Sequence, residues 1–133
     1  MLNLEPGRQP WQVGDVFRVH NKFNHPTAGI MRIGDDVVAF RCIAGHGEEK
    51  SLWVFAQRPH YIEAADLTTP TDLFQHWAIQ AGGVTVALAS DAKGIIDQRY
   101  VKIGTGTPYS SYAELASDAL GLSSQTREAI GIC

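Results

Sequence analysis

Four residues in the first half of the chain carry side chains that could do chemistry together: His20, His25, Cys42 and His46. Four residues separate the first two histidines, and three separate the cysteine from the histidine that follows it. Imidazole and thiolate are zinc ligands, and a thiol beside an imidazole is the nucleophile–base pair of thiol hydrolases and transferases. Whether the four can meet depends on the strands that carry them. If both strands belong to one antiparallel meander, the loop after the first strand and the loop after the third lie at the same end of the sheet. Alternation works against convergence. With Phe17 and Phe40 both turned inward, Cys42 shares the inward face while His20 points out. Four converging ligands would need a bulge or a twist. The expectation is therefore a small buried Cys42, with His25 and His46 on solvent-exposed loops, and neither a metal nor any other cofactor.

The same two loops, Asn21 to Thr27 and Gly45 to Lys50, form the candidate binding surface. They hold Lys22, Phe23, His25, His46, Glu48 and Glu49, a mixture of charge, imidazole and one aromatic ring. Loops on a rigid sheet often carry function, and aromatic anchors are over-represented where partners bind. Phe23 is the sharpest element. An aromatic residue in a polar loop either plugs the end of the sheet or waits for a partner. The Glu48–Glu49 pair could serve acid–base chemistry only beside a cleft that shifts its pKa.

Other stretches offer weaker chemistry. Gly104-Thr105-Gly106-Thr107 stands between a strand and a helix, where backbone N–H groups can approach an anion. It lacks the spacing and the lysine of a phosphate-binding loop, and a structural connection capped by Thr107 is expected. Phe74-Gln75-His76-Trp77-Ala78-Ile79 resembles the catalytic-histidine segment of the LRAT-like thiol acyltransferases. That resemblance implies a histidine on a strand, with a cysteine downstream in an Asn-Cys-Glu motif. Here the segment lies between helix caps and the downstream cysteine is Cys133, so His76 is read as a boundary residue of a helix. The tail from Glu114 through Gly121-Leu122-Ser123 to Ile130 is similar to a helix-turn-helix, yet its would-be reading helix has one basic residue, Arg127, where phosphate contacts need a basic stripe.

The elements that must position these residues are legible from periodicity. Strands are expected at Val13–His20, Ala28–Ile33, Val37–Ile43 and Leu52–Ala56, with an irregular edge strand around Tyr61–Ala65. Thr69 and Pro70 then open a helix whose apolar stripe is Leu73, Phe74, Trp77, Ala78 and Ala81. Gly82-Gly83 ends it. Val84, Val86 and Leu88 alternate as a strand, Asp91-Ala92-Lys93-Gly94 turns with Gly94 at positive φ, and Ile95–Ile103 returns. Tyr112, Leu115, Ala116, Ala119 and Leu120 make a second amphipathic helix ended by Gly121, and Ser123 or Ser124 caps a short last helix to about Ile130. Strands followed by helices predict an α+β fold. It is an antiparallel meander or small open barrel, then a helix, a hairpin and C-terminal helices packed on one face.

Length and composition bound the function. A chain of 133 residues with no internal repeat or linker suits one domain spanning 1–133, and can bury its core without disulfides or metal. A net charge of −3 offers no general attraction for nucleic acid or anionic lipid, and no apolar run is long enough to cross a membrane. A polar start and two cysteines, Cys42 and Cys133, fit a cytoplasmic protein. The reading these features favour is a small binding module for a protein partner or a small ligand. The alternatives are a thiol- or histidine-dependent hydrolase or transferase (or a metal enzyme) using Cys42 with His20, His25 and His46, and a DNA-binding regulator using the C-terminal helices.

Overall fold

The computed structural model describes residues 2–59 and 70–132. After a short 3-10 turn at Pro10–Gln12 come β1 (Asp15–Phe23), β2 (His25–Ile33), β3 (Asp36–Ala44) and β4 (Lys50–Gln57). Then follow α1 (Pro70–Ala81), β5 (Gly83–Ser90), β6 (Gly94–Lys102), a second 3-10 turn at Tyr109–Ser111, α2 (Tyr112–Leu120) and α3 (Ser124–Ala129). The six strands form one antiparallel sheet in sequence order, so the fold is α+β with a meander at its centre. The strand expected around Tyr61–Ala65 and the Thr69 cap lie outside the described residues. No helix among the described residues is long and apolar enough to cross a membrane.

Alternation along the central strands splits the core in two. Ala39, Leu52, Val54, Ala56, Val84 and Val86 face the helices, and Phe74, Trp77, Ala78, Tyr112, Ala116 and Ile130 cover them. The helices thus share one face of the sheet, as their amphipathic stripes predict. The opposite face carries Met31, Val38, Phe40, Cys42, Trp53, Phe55 and Ile95. It is covered by the first residues of the chain, with Leu4 fully buried and Leu2, Trp11 and Val13 packed against it. Pro6, Gly7 and Pro10 keep this stretch irregular, and its role as a cover is a structural finding. Gly7 donates to the Ile95 carbonyl and Ile95 to that of Arg8, while the Gln98 amide bonds both the N–H and the carbonyl of Leu4. The segment starts against β6 and ends where β1 begins.

The first strand corrects two expectations. Phe17 does not face inward: it is 56% exposed, and Val19, two residues on, is 49% exposed. Register shifts between Val16 and Arg18 and between Val19 and Asn21 interrupt the pairing of β1 with β2. Bulges of this kind break the two-residue period on which the inward reading rests, and β1 is an edge strand with a neighbour on one side alone. The stretch Asn21–Thr27 is also no open loop. Lys22 pairs with Pro26 and Phe23 with His25, leaving Asn24 alone at the tip with φ of 58°.

Candidate functional site

Three hairpin ends meet at one end of the sheet: the β1–β2 tip at Asn24, the β3–β4 loop over residues 45–49, and the β5–β6 turn that starts at Asp91. The meander dictates this, since alternate connections of an antiparallel sheet fall on one side. Short bonds then lock them together. Asp91 donates its N–H to the Glu49 carbonyl at 2.9 Å, and Gly45 donates to the Ile130 carbonyl at 3.0 Å, tying the middle loop to the end of α3. Phe23 lies over Gly47 so closely that a methyl group there would sit 3.4 Å from its ring.

A fourth element completes the site. Gln9 donates its side-chain amide to the carbonyls of Ser90 and Asp91, at 3.2 and 3.0 Å. This places Trp11 flat on His25, with Trp53 behind both at centroid distances of 5.8 and 6.1 Å. The result is a pocket of about 400 Å³ whose lining includes Trp11, Phe23, His25, His46, Trp53 and Asp91. Glu48 also lines it, whereas Lys22 and Glu49 do not. Of the sequence-predicted surface, the fold therefore gathers Phe23, His25, His46 and Glu48 and leaves two charges outside. Trp11, Trp53 and Asp91 escape a sequence reading because they come from distant segments.

The electrostatics separate the histidines and the cysteine. Burial holds the His25 pKa below its ordinary value, with Asp91 opposing and His46 adding to the effect. His20 is also held low, first by burial and then by the charges of Arg18 and Arg41, and it does not line the pocket. His46 Nε2 lies 3.1 Å from the Cys42 carbonyl oxygen, so it carries the proton and donates to the backbone. The Cys42 Sγ donates to the Ala44 carbonyl at 3.3 Å, and burial pushes the thiol up to about 12. Imidazole and thiol are thus neighbours in sequence with separate partners. Among the described residues no three His, Cys, Asp or Glu side chains are grouped so as to hold a metal ion.

A second pocket, of about 310 Å³, adjoins the first and shares Thr27, Cys42 and His46 with it. Its distinctive residue is Arg41, in mid-β3. The signal in the sequence is a lone arginine within Val37-Val38-Ala39-Phe40-Arg41-Cys42-Ile43.

Thr107, Ser123 and Arg127 have structural roles. Thr107 accepts from the Gly104 N–H and gives its own carbonyl to Gln75. His76 is half-buried on α1. Ser123 caps α3 by accepting from the Thr126 N–H at 3.2 Å, and Arg127 pairs with Asp118 at 2.5 Å. Comparison with protein-family models, with curated proteins and with solved structures finds no match to this chain.

Proposed function

We propose that this chain is a binding module and that the pocket among Trp11, Phe23, His25, His46, Trp53 and Asp91 is its ligand site. The observation that carries this reading is convergence. Three hairpin ends and the N-terminal segment, far apart in sequence, enclose one concavity with aromatic walls and a few polar groups. A volume of about 400 Å³ falls within the range of small-molecule sites, and the mixture of lining is the one that fixes an organic body and orients its polar ends. Of the two partner classes the sequence suggests, a small ligand is favoured over a protein, because the aromatic surface lies in a concavity. The 54% exposure of Phe23 supports a side chain that contacts ligand at the rim over one that plugs the sheet. A thiol-dependent reaction is disfavoured by the raised pKa of Cys42 and its bond to Ala44.

Ligand-detected NMR screening with a library of small aromatic and heteroaromatic compounds tests the proposal, with Trp11 fluorescence as the reporter on the protein. Saturable binding that Phe23→Ala and His25→Ala each abolish, at unchanged melting temperature for Phe23→Ala, is the expected result. Compounds that bind both variants as they bind the parent protein would place the site elsewhere and overturn the reading.

A further inference from the structure

Arg41 stands where a charge is costly. Its neighbours along β3, Ala39, Phe40 and Cys42, are buried, and the arginine itself is half-buried. Its guanidinium reaches toward the helices. One terminal nitrogen donates to the Thr71 hydroxyl at the start of α1, and the guanidinium carbon lies 5.8 Å from the centre of the Tyr109 ring. These contacts fix the plane of the group without neutralising it. The ion pairs among the described residues involve Arg8, Arg99 and Arg127, so Arg41 has no carboxylate partner there. A half-buried cation is stabilised by a counter-charge, and a guanidinium held in one plane presents a fork of N–H donors suited to an oxyanion.

What surrounds the fork has matching chemistry. The residues lining the pocket beside Arg41 include the polar Asn21, Thr27, Tyr109, Ser110 and His46. Burial raises the Tyr109 pKa against the opposing pull of Arg41, and a phenol is a hydrogen-bond donor at neutral pH in any case. No Asp or Glu lines this pocket. Arg18 adds positive charge nearby, since it and Arg41 together depress His20.

We propose that this second pocket binds the oxyanion group of a small molecule, a carboxylate or a phosphate. Arg41 supplies the charged fork, and Asn21, Thr27, Tyr109 and Ser110 supply the neutral polar groups. Thr71 acts as a positioning residue that holds the guanidinium in its plane. Volume sets a further condition. The cavity, at about 310 Å³, has room for more than a bare anion, so the oxyanion is one end of a larger ligand.

Inorganic phosphate and acetate are the probes, titrated at constant ionic strength and followed by proton–nitrogen NMR. The expected result is saturable movement of the Arg41 side-chain N–H and of the Asn21 and Ser110 amides. A preference for phosphate assigns a phosphate-bearing ligand, and a preference for acetate a carboxylate-bearing one. Arg41→Gln should abolish the response, while Arg8→Gln, which removes an exposed guanidinium paired with Glu5, should leave it intact. Arg41→Lys keeps the charge without the fork and should weaken binding roughly tenfold or more. Histidine titration supplies an independent signal: bound anion offsets the Arg41 charge, so the His20 midpoint should move upward. Absence of saturable movement with either probe overturns the proposal, as does equal affinity in Arg41→Gln. Arg41 does not line the aromatic pocket, so a negative result here leaves the reading of that pocket standing.

Discussion

The Trp11 indole lies flat against the His25 imidazole, with ring centroids 3.8 Å apart and planes 14° from parallel. One residue belongs to the segment that covers the sheet and the other opens β2. Each fixes the orientation of the other, and the stack removes one face of the imidazole from water.

A pH dependence follows from that stack. Burial lowers the His25 pKa from the ordinary 6.5. Between the lowered folded value and 6.5, the unfolded chain binds more protons than the folded one, so stability rises with pH across that window. The His25 contribution is complete above about pH 6.5 and is lost as pH falls through the folded value. His20 is shifted in the same direction and adds to the slope. Urea unfolding from about pH 5 to 8 should show midpoints that climb and then level. His25→Gln should flatten the climb. A His25 midpoint above that of the unfolded chain would contradict the assignment.

Cys42 should be inert in the native state. With the thiol pushed up to about 12, almost no thiolate exists at neutral pH, and the thiolate is the reacting form. In a Cys133→Ser background, iodoacetamide at neutral pH should leave the folded protein unlabelled and modify the urea-unfolded chain. Rapid labelling of the folded protein would restore the thiol-enzyme reading.

Trp77 anchors α1 to the helix-facing core and is 7% exposed. Trp77→Ala should cost ~3–5 kcal/mol in urea unfolding, as other large-to-small changes in a core do. A loss below ~1 kcal/mol would mean that this face of the helix has little to pack on.

Gly94 opens β6 with φ of 70°, as its place in the turn predicts. A second constraint is added by the N-terminal segment, since a methyl group on Gly94 would lie 2.5 Å from the Arg8 carbonyl oxygen. Gly94→Ala should cost about 1–3 kcal/mol from the backbone conformation alone, and more once Arg8 is displaced. A neutral substitution would show that neither constraint holds.

The parts of the fold written in local signals were legible. Pro70 and the Gly82-Gly83 stop delimit α1, Gly121 ends α2 in the left-handed conformation, and Ser123 caps α3, because caps act through neighbours in the chain. The hairpin at Gly94 was legible for the same reason. Phe17 misled because hydrophobicity does not say which face a bulged edge strand presents. The site was half legible. A meander alone brings His25 and His46 to one end, and the structure has them lining one pocket. Trp11 and Asp91 join them through Gln9, whose side chain bonds carbonyls 81 and 82 residues further along the chain. No periodicity records a contact of that range. Arg41 stood in plain view as a charge among apolar residues, but its meaning depended on Thr71 and Tyr109, which only the folded chain sets beside it.

The clasp between Leu4 and Gln98 joins residues 94 positions apart. During synthesis the cover of the second core is made early, and its dock on β6 late. Until the ribosome has released Gln98, the segment that covers Met31, Phe40, Trp53 and Phe55 has no anchor on β6. A nascent chain of that length therefore presents a sticky half-finished sheet, the kind of surface that chaperones hold and that aggregates when they do not. Any slowing of translation between β4 and β6 would lengthen the time this cover stays unfastened.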